Sequence, residues 1–136
     1  MPKQKYPEVT VGALIFNEDN KVLLVKSKKW KNKYVMIGGH IEAGEMIEEA
    51  LRREVKEESN LDIYNIELLC IQEAIYDPVY YKKKHFIFID FWCRTRQKKV
   101  ILNNEAQEYG WYSINEAMKL DLEPYTKKSL EEYLKL

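Results

Sequence analysis

Cysteine and histidine are scarce: the 136-residue sequence holds two of each, Cys70 and Cys93, His40 and His85. Two cysteines without CxxC spacing exclude a disulfide framework, and two imidazoles exclude a His-rich zinc site. Charge of one sign is also missing. Lys+Arg 22 against Asp+Glu 22 leaves a net charge of zero and a pI near 6.7, so the basic footprint of a duplex nucleic-acid binder is absent. No apolar run approaches the ~20 residues that span a bilayer, and MPKQKYPEVT lacks the apolar stretch of a signal peptide. What is present is a 46% hydrophobic, 12% aromatic chain. That is enough to bury a core, and the length suits one domain over 1–136. A cytoplasmic location is the expectation.

The patterning alternates between strand and helix signals. Val9 to Phe16 and Val22 to Val25 flank the turn residues Glu18-Asp19-Asn20 and read as an antiparallel hairpin. A basic loop, Ser27 to Lys33, leads to Tyr34–Ile37, which Gly38-Gly39 should punctuate. Met46 to Ser59 is helical in composition, and Asn60 can supply the left-handed end residue. Ile63–Ile75 and His85–Arg94 read as strands joined by YDPVYYKKK, followed by a strand at Tyr109–Tyr112 and helices at Ile114–Leu120 and Thr126–Leu136. The order β-β-β-α-β-β-β-α-α predicts an α/β fold, a mixed sheet covered by helices. Apolar sheet edges make a homodimer an expectation.

The helix at Met46–Ser59 carries the chemistry. At about 100° per residue, Ile47, Ala50, Leu51 and Val55 share one arc. Glu58 points along that arc, Glu54 lies beside it and Glu57 at its edge, while Glu49, Arg52, Arg53 and Lys56 fall on the solvent side. Glu54, Glu57 and Glu58 repel one another at i, i+3 and i+4 and crowd the negative end of the helix dipole. Clustered carboxylate oxygens that bear such costs are natural ligands for a hard divalent cation such as Mg²⁺. The same pattern also fits an ordinary charged helix, or one that binds a basic partner.

The segment GGHIEAGEMIEEALRREVKEESNL narrows the choice. Gly39, five residues, Glu45, seven residues, then Arg53-Glu54-Val55-Lys56-Glu57-Glu58-Ser59-Asn60-Leu61 resembles the Nudix box, GX5EX7REUXEEXGU. Asn60 stands where the family has Gly, and Ile37 where many relatives carry Pro. The resemblance implies a Nudix (MutT-like) α/β/α sandwich and a metal-dependent hydrolase. Its substrate would be a nucleoside diphosphate derivative: a nucleoside triphosphate, a nucleotide sugar or an ADP-ribose type of molecule. Mg²⁺ or Mn²⁺ would be required, held by Glu54, Glu57 and Glu58, with Glu54 also placed to assist water deprotonation. Arg53 would be structural, partnered by Glu45, and Gly38 and Gly39 would hold the loop.

Outside the box, Glu105 is the preferred further metal ligand, with Glu108 nearby. Asp90 interrupts an apolar strand on the face of Phe86, Phe88 and Trp92, either lining a cleft or paired structurally. Lys28, Trp30 and Tyr76 are the leading substrate-binding candidates, drawn from a set that includes Lys26, Lys29, Tyr80 and Tyr81; aromatic faces stack on a base and Lys meets phosphate. Neither histidine nor cysteine has a readable triad context, so direct attack by water is expected. A Nudix-fold nucleotide sensor without turnover is the alternative.

Overall fold

A computed structural model describes residues 4–136, so the part of the signal-peptide argument that falls on Met1–Lys3 lies outside the described residues. In chain order the elements are β1 (Glu8–Phe16), β2 (Val22–Ser27), a 3₁₀ turn (Lys28–Trp30), β3 (Lys33–Val35), β4 (Ile37–His40), α1 (Ile47–Ser59), β5 (Tyr64–Ile75), β6 (His85–Arg94), β7 (Tyr109–Tyr112), α2 (Ile114–Ala117) and α3 (Pro124–Leu134).

The sheet runs β3-β2-β1-β6-β5, with β4 added to β1 and β7 to β2. Among the described strands β1 and β6 pair in parallel and the other pairs are antiparallel. The hairpin partners β1 and β2 meet at Phe16 and Val22 and then splay: β1 continues beside β4 and β6, β2 beside β3 and β7. A cleft opens where they part. Alternation along β1 sends Val11, Ala13 and Ile15 into one core with Ala50, Leu51 and Val55 of α1, and Leu14 and Phe16 into a second with Ala117 and Leu130 of α2 and α3. Two cores on opposite faces of a mixed sheet make the predicted α/β/α sandwich. Burying each of these Leu or Val side chains contributes about 1.5–3 kcal/mol.

Several sequence expectations change. Gly38-Gly39 do not end a strand but lie inside β4, where Gly38 pairs with Gly12 of β1. A Cβ on Gly38 would overlap the Val11 carbonyl oxygen, so close strand approach, not a turn, requires this glycine. The Tyr34–Ile37 run breaks at Met36 into β3 and β4. Ile47 opens α1 and is 43% exposed rather than buried. The last helix begins earlier, at Pro124, because Glu123 caps it by accepting the N–H groups of Tyr125 and Thr126. Asn60 takes the left-handed conformation (φ 62°) and its N–H closes on the Lys56 carbonyl, so the turn forms without glycine.

Candidate active site

The cleft, about 200 Å³, reaches from the glutamate face of α1 to the N-terminus of α3. At one end α1 delivers Glu54 and Glu58. Gly39 makes the room: any Cβ there would overlap the Glu54 carboxylate. The Gly38 N–H donates to Glu58 Oε2 at 3.1 Å. Glu105, from the loop before β7, brings its carboxylate against Glu58. Burial, then the Glu105 contact and the nearby Glu54 charge, push the Glu58 carboxyl up to about 10, while Glu58 helps hold Glu105 below the usual range. Crowding two carboxyl groups in this buried corner favours the protonated form of Glu58, the more buried of the two. Glu54 is also raised, mainly by burial, against the opposing pull of Arg53.

Arg53 is the cation of this end, and its side chain overturns the helical-wheel placement toward solvent. It curls over α1 to the preceding loop, leaving 24% of the side chain exposed. Nε and Nη2 donate in parallel to Glu45 at 2.7 and 2.8 Å, Nη2 reaches the His40 carbonyl at 2.9 Å, and Nη1 reaches Glu54 at 2.9 Å and Glu57 at 3.2 Å. The Arg53 bond, joined by the Glu42 N–H, holds the Glu45 carboxyl down at about 2. Loop and helix are thereby clamped together. Glu57 stays at the solvent edge, 56% exposed.

Among the described residues, no group of three or more His, Cys, Asp or Glu side chains is arranged as it stands to hold a metal ion. The pairings give the reason: Arg53 holds Glu54 and Glu57, while Glu58 turns to Gly38 and Glu105. The chemistry of the donor set nevertheless suits a hard divalent cation, since Glu54, Glu58 and Glu105 bring carboxyl oxygens to one end of the cleft.

The other end is aromatic. Trp30 stands 4.7 Å from Tyr80 and 5.9 Å from Tyr125 between ring centroids, and Phe88 lies 5.1 Å from Tyr125. Asp90 forms part of the floor at 1% exposure, so it both lines the cleft and is structurally paired. Of the expected substrate-binding residues, Trp30 lines the cleft. Lys28 and Tyr76 do not: Lys28 is exposed beside its lining neighbour Lys29, and Tyr76, 52% exposed with φ 53°, leaves the wall to Tyr80. Lys26 is occupied by Glu108 at 3.1 Å. Phe86 and Phe88 could have been found from their alternation with Asp90. Tyr125 and Gly12 carried no such signal, because only the tertiary fold brings them to the cleft.

The NUDIX domain family model matches residues 6–133. The chain belongs to the NUDIX family. Its relatives include the nucleoside triphosphatase NudI of Escherichia coli O139:H28, 28% identical over 131 residues that cover 89% of this chain and 93% of that protein. A MutT NUDIX hydrolase from Burkholderia pseudomallei superposes with a TM-score of 0.80 at 23% identity, covering 94% of this chain and 98% of its own. The NUDIX domain of Shewanella oneidensis NrtR, complexed with ADP ribose, also reaches 0.80, at 19% identity, covering 97% and 89%. Those two structures establish the Nudix fold. The chain is a Nudix-type pyrophosphohydrolase, and the activity of that membership is hydrolysis of the pyrophosphate linkage in nucleotides. Among the described residues, no helix is long and apolar enough to cross a membrane.

Proposed function

We propose that this enzyme hydrolyses a nucleoside diphosphate derivative, of the nucleoside triphosphate, nucleotide sugar or ADP-ribose type, with Mg²⁺ or Mn²⁺. The observation that carries the reading is the Glu54, Glu58 and Glu105 cluster at one end of a cleft whose other end is aromatic. Glu54, Glu57, Glu58 and Glu105 are the residues that would hold the cation, which when bound would offset phosphate charge and acidify water. Glu54, oriented by Arg53 and seated over Gly39, is placed to take the proton of an attacking water as an oxygen–phosphorus bond forms and the anhydride bond breaks. Gly38 fixes Glu58, and the Arg53–Glu45 clamp keeps the loop in register with α1. Lys29 is the cation of the cleft wall and would meet phosphate; the aromatic end would take the base.

The relative NudI, a nucleoside triphosphatase, supports a triphosphate substrate, whereas the NrtR domain holds ADP ribose. A turnover screen of triphosphates, dinucleotides, nucleotide sugars and ADP-ribose with Mg²⁺ and Mn²⁺ tests the proposal. Ligand binding without release of any product would make the chain a sensor. The cytoplasmic assignment rests on two free thiols, Cys70 and Cys93. A homodimer through β5 rests on Leu68, Ile71 and Ile75, all more than half exposed on that edge strand; sedimentation measures it.

A further inference from the structure

Asp90 is a costly residue to place in the middle of a sheet, and half of its carboxylate has a structural explanation. Oδ2 accepts from Gln72 Nε2 at 2.9 Å and from Ser129 Oγ at 2.9 Å, tying β6 to β5 and α3. Among the described residues Oδ1 accepts no hydrogen bond from the protein, and the little surface that Asp90 keeps, 1%, belongs to a residue on the cleft lining. Asp90 lines the cleft, and Oδ1 points over its β6–β1 partner Gly12, where a Cβ would stand 2.8 Å from Oδ1 and 3.3 Å from Met36 Sδ. The missing side chain leaves a niche with one acceptor in its wall. Phe88, two residues before Asp90 on the same face, packs with Trp30 and Tyr125 beside it. Glu123, the other buried carboxylate on the lining, is already committed to the Tyr125 and Thr126 N–H groups. The niche therefore offers an aromatic surface for a flat ring and an acceptor aimed at the ring edge.

We propose that Asp90 reads the base of the substrate: its free oxygen accepts from an exocyclic amino group and selects amino-bearing bases over uracil and thymine. This rests on the nucleotide-hydrolase reading and narrows its substrate class. A carboxylate oxygen facing O4 of uracil meets another acceptor with no proton between them, whereas the cytosine amino group at the same position is a natural partner for Asp. A buried acceptor left unpaired by the wrong base is what makes such discrimination steep.

The cleanest probe is the near-isosteric pair CMP and UMP, in which position 4 carries an amino group or a carbonyl and the neighbouring N3 is bare or protonated. Titration calorimetry should show CMP binding at least about tenfold more tightly than UMP. In Asp90→Asn the amide oxygen can keep the Gln72 and Ser129 bonds while its NH₂ faces the niche, so the preference should vanish or reverse. Gly12→Ala, which puts a methyl group against Oδ1, should lower CMP affinity toward that of UMP and keeps the question answerable if Asp90→Asn does not fold. Equal CMP and UMP affinity in the parent, or an unchanged ratio in either folded variant, overturns the inference. Loss of the hydrolase reading is seen separately, as absence of product with every nucleotide in the turnover screen, while the binding ratio still judges Asp90.

Discussion

Replacing Arg53 by Lys keeps the charge and most of the length but removes the planar fork. In the structure that fork satisfies both oxygens of Glu45 and still reaches the His40 carbonyl and Glu54. An ammonium can keep some of these partners but cannot reproduce the parallel pair with Glu45 while holding Glu54. Hydrogen bonds to charged groups contribute about 1.5–3 kcal/mol each when buried. With the Arg53 side chain 24% exposed and partly screened, the net cost of the variant should be about 1–2 kcal/mol. For a chain of this length that is a fall of about 5 °C in melting temperature. Turnover should fall further, by about 10–100-fold, because the clamp orients Glu54 and the loop rather than touching substrate. Arg52 is the control on the same helix: it donates to the Ile63 carbonyl at 2.7 Å and pairs with the exposed Glu48 at 3.5 Å, and neither contact needs a planar fork. Melting curves and steady-state turnover of Arg53→Lys and Arg52→Lys, side by side, decide the matter. Equal, near-parent behaviour of both would refute the clamp.

Glu58→Gln keeps volume and removes a crowded, inward carboxyl; melting temperature should hold or rise, while turnover falls by more than the roughly 10–100-fold of an orienting residue. Gly39→Ala should lose turnover with little change in the far-UV spectrum, since its Cβ displaces the Glu54 carboxylate rather than strand backbone; parent activity would contradict that seat. Mg²⁺ or Mn²⁺ should raise the melting temperature in proportion to the logarithm of concentration, an effect that chelator removes and Glu58→Gln weakens; no shift with either ion would count against the site. Burial lifts the Asp90 carboxyl from 3.8 to about 6 in the folded chain, so its contribution to stability is fully present below pH 3.8 and lost as pH rises through about 6. Asp90→Asn should therefore flatten denaturant-derived stability between about pH 4 and 6 relative to the parent, and parallel curves would refute the assignment.

Much of the fold was legible because its signals are local. Strands β6 and β7 begin and end where the apolar runs do, and Asn60 ends α1 where the composition changes. The errors fall where a long-range contact overrides a local rule. Gly38-Gly39 look like punctuation, yet Gly38 serves a close approach to β1, twenty-six residues earlier in the chain. Ile37, in place of the proline common among relatives, pairs with Ala13 as an ordinary strand residue. Helix α2 stops at Ala117, short of the apolar pattern, because Met118 and Leu120 fold into the second core from a turn instead.

The site divides along the same line. Charges on the apolar arc of α1 mark Glu54 and Glu58 as costly, but that arc alone also fits an ordinary charged helix, and it is the box spacing that singles them out; in the structure burial pushes the Glu58 carboxyl up to about 10. Arg53 was misplaced because a wheel locates Cβ atoms, whereas a long side chain acts wherever its guanidinium reaches, here across the loop to Glu45. The aromatic end belongs to no single segment: Trp30 comes from the turn after β2, Tyr80 from the β5–β6 connection, Phe88 from β6 and Tyr125 from α3. Lys28 and Tyr76 are each close in sequence to a residue that lines the cleft, Lys29 and Tyr80, but lie outside the lining themselves. On the proposed reading, the reaction chemistry lies mostly in one helix and its loop, where spacing exposes it, with Glu105 added from the loop before β7, while recognition is assembled from four distant segments. Because the aromatic wall comes from segments separate from the carboxylate face, the sequence announces a hydrolase more clearly than its substrate.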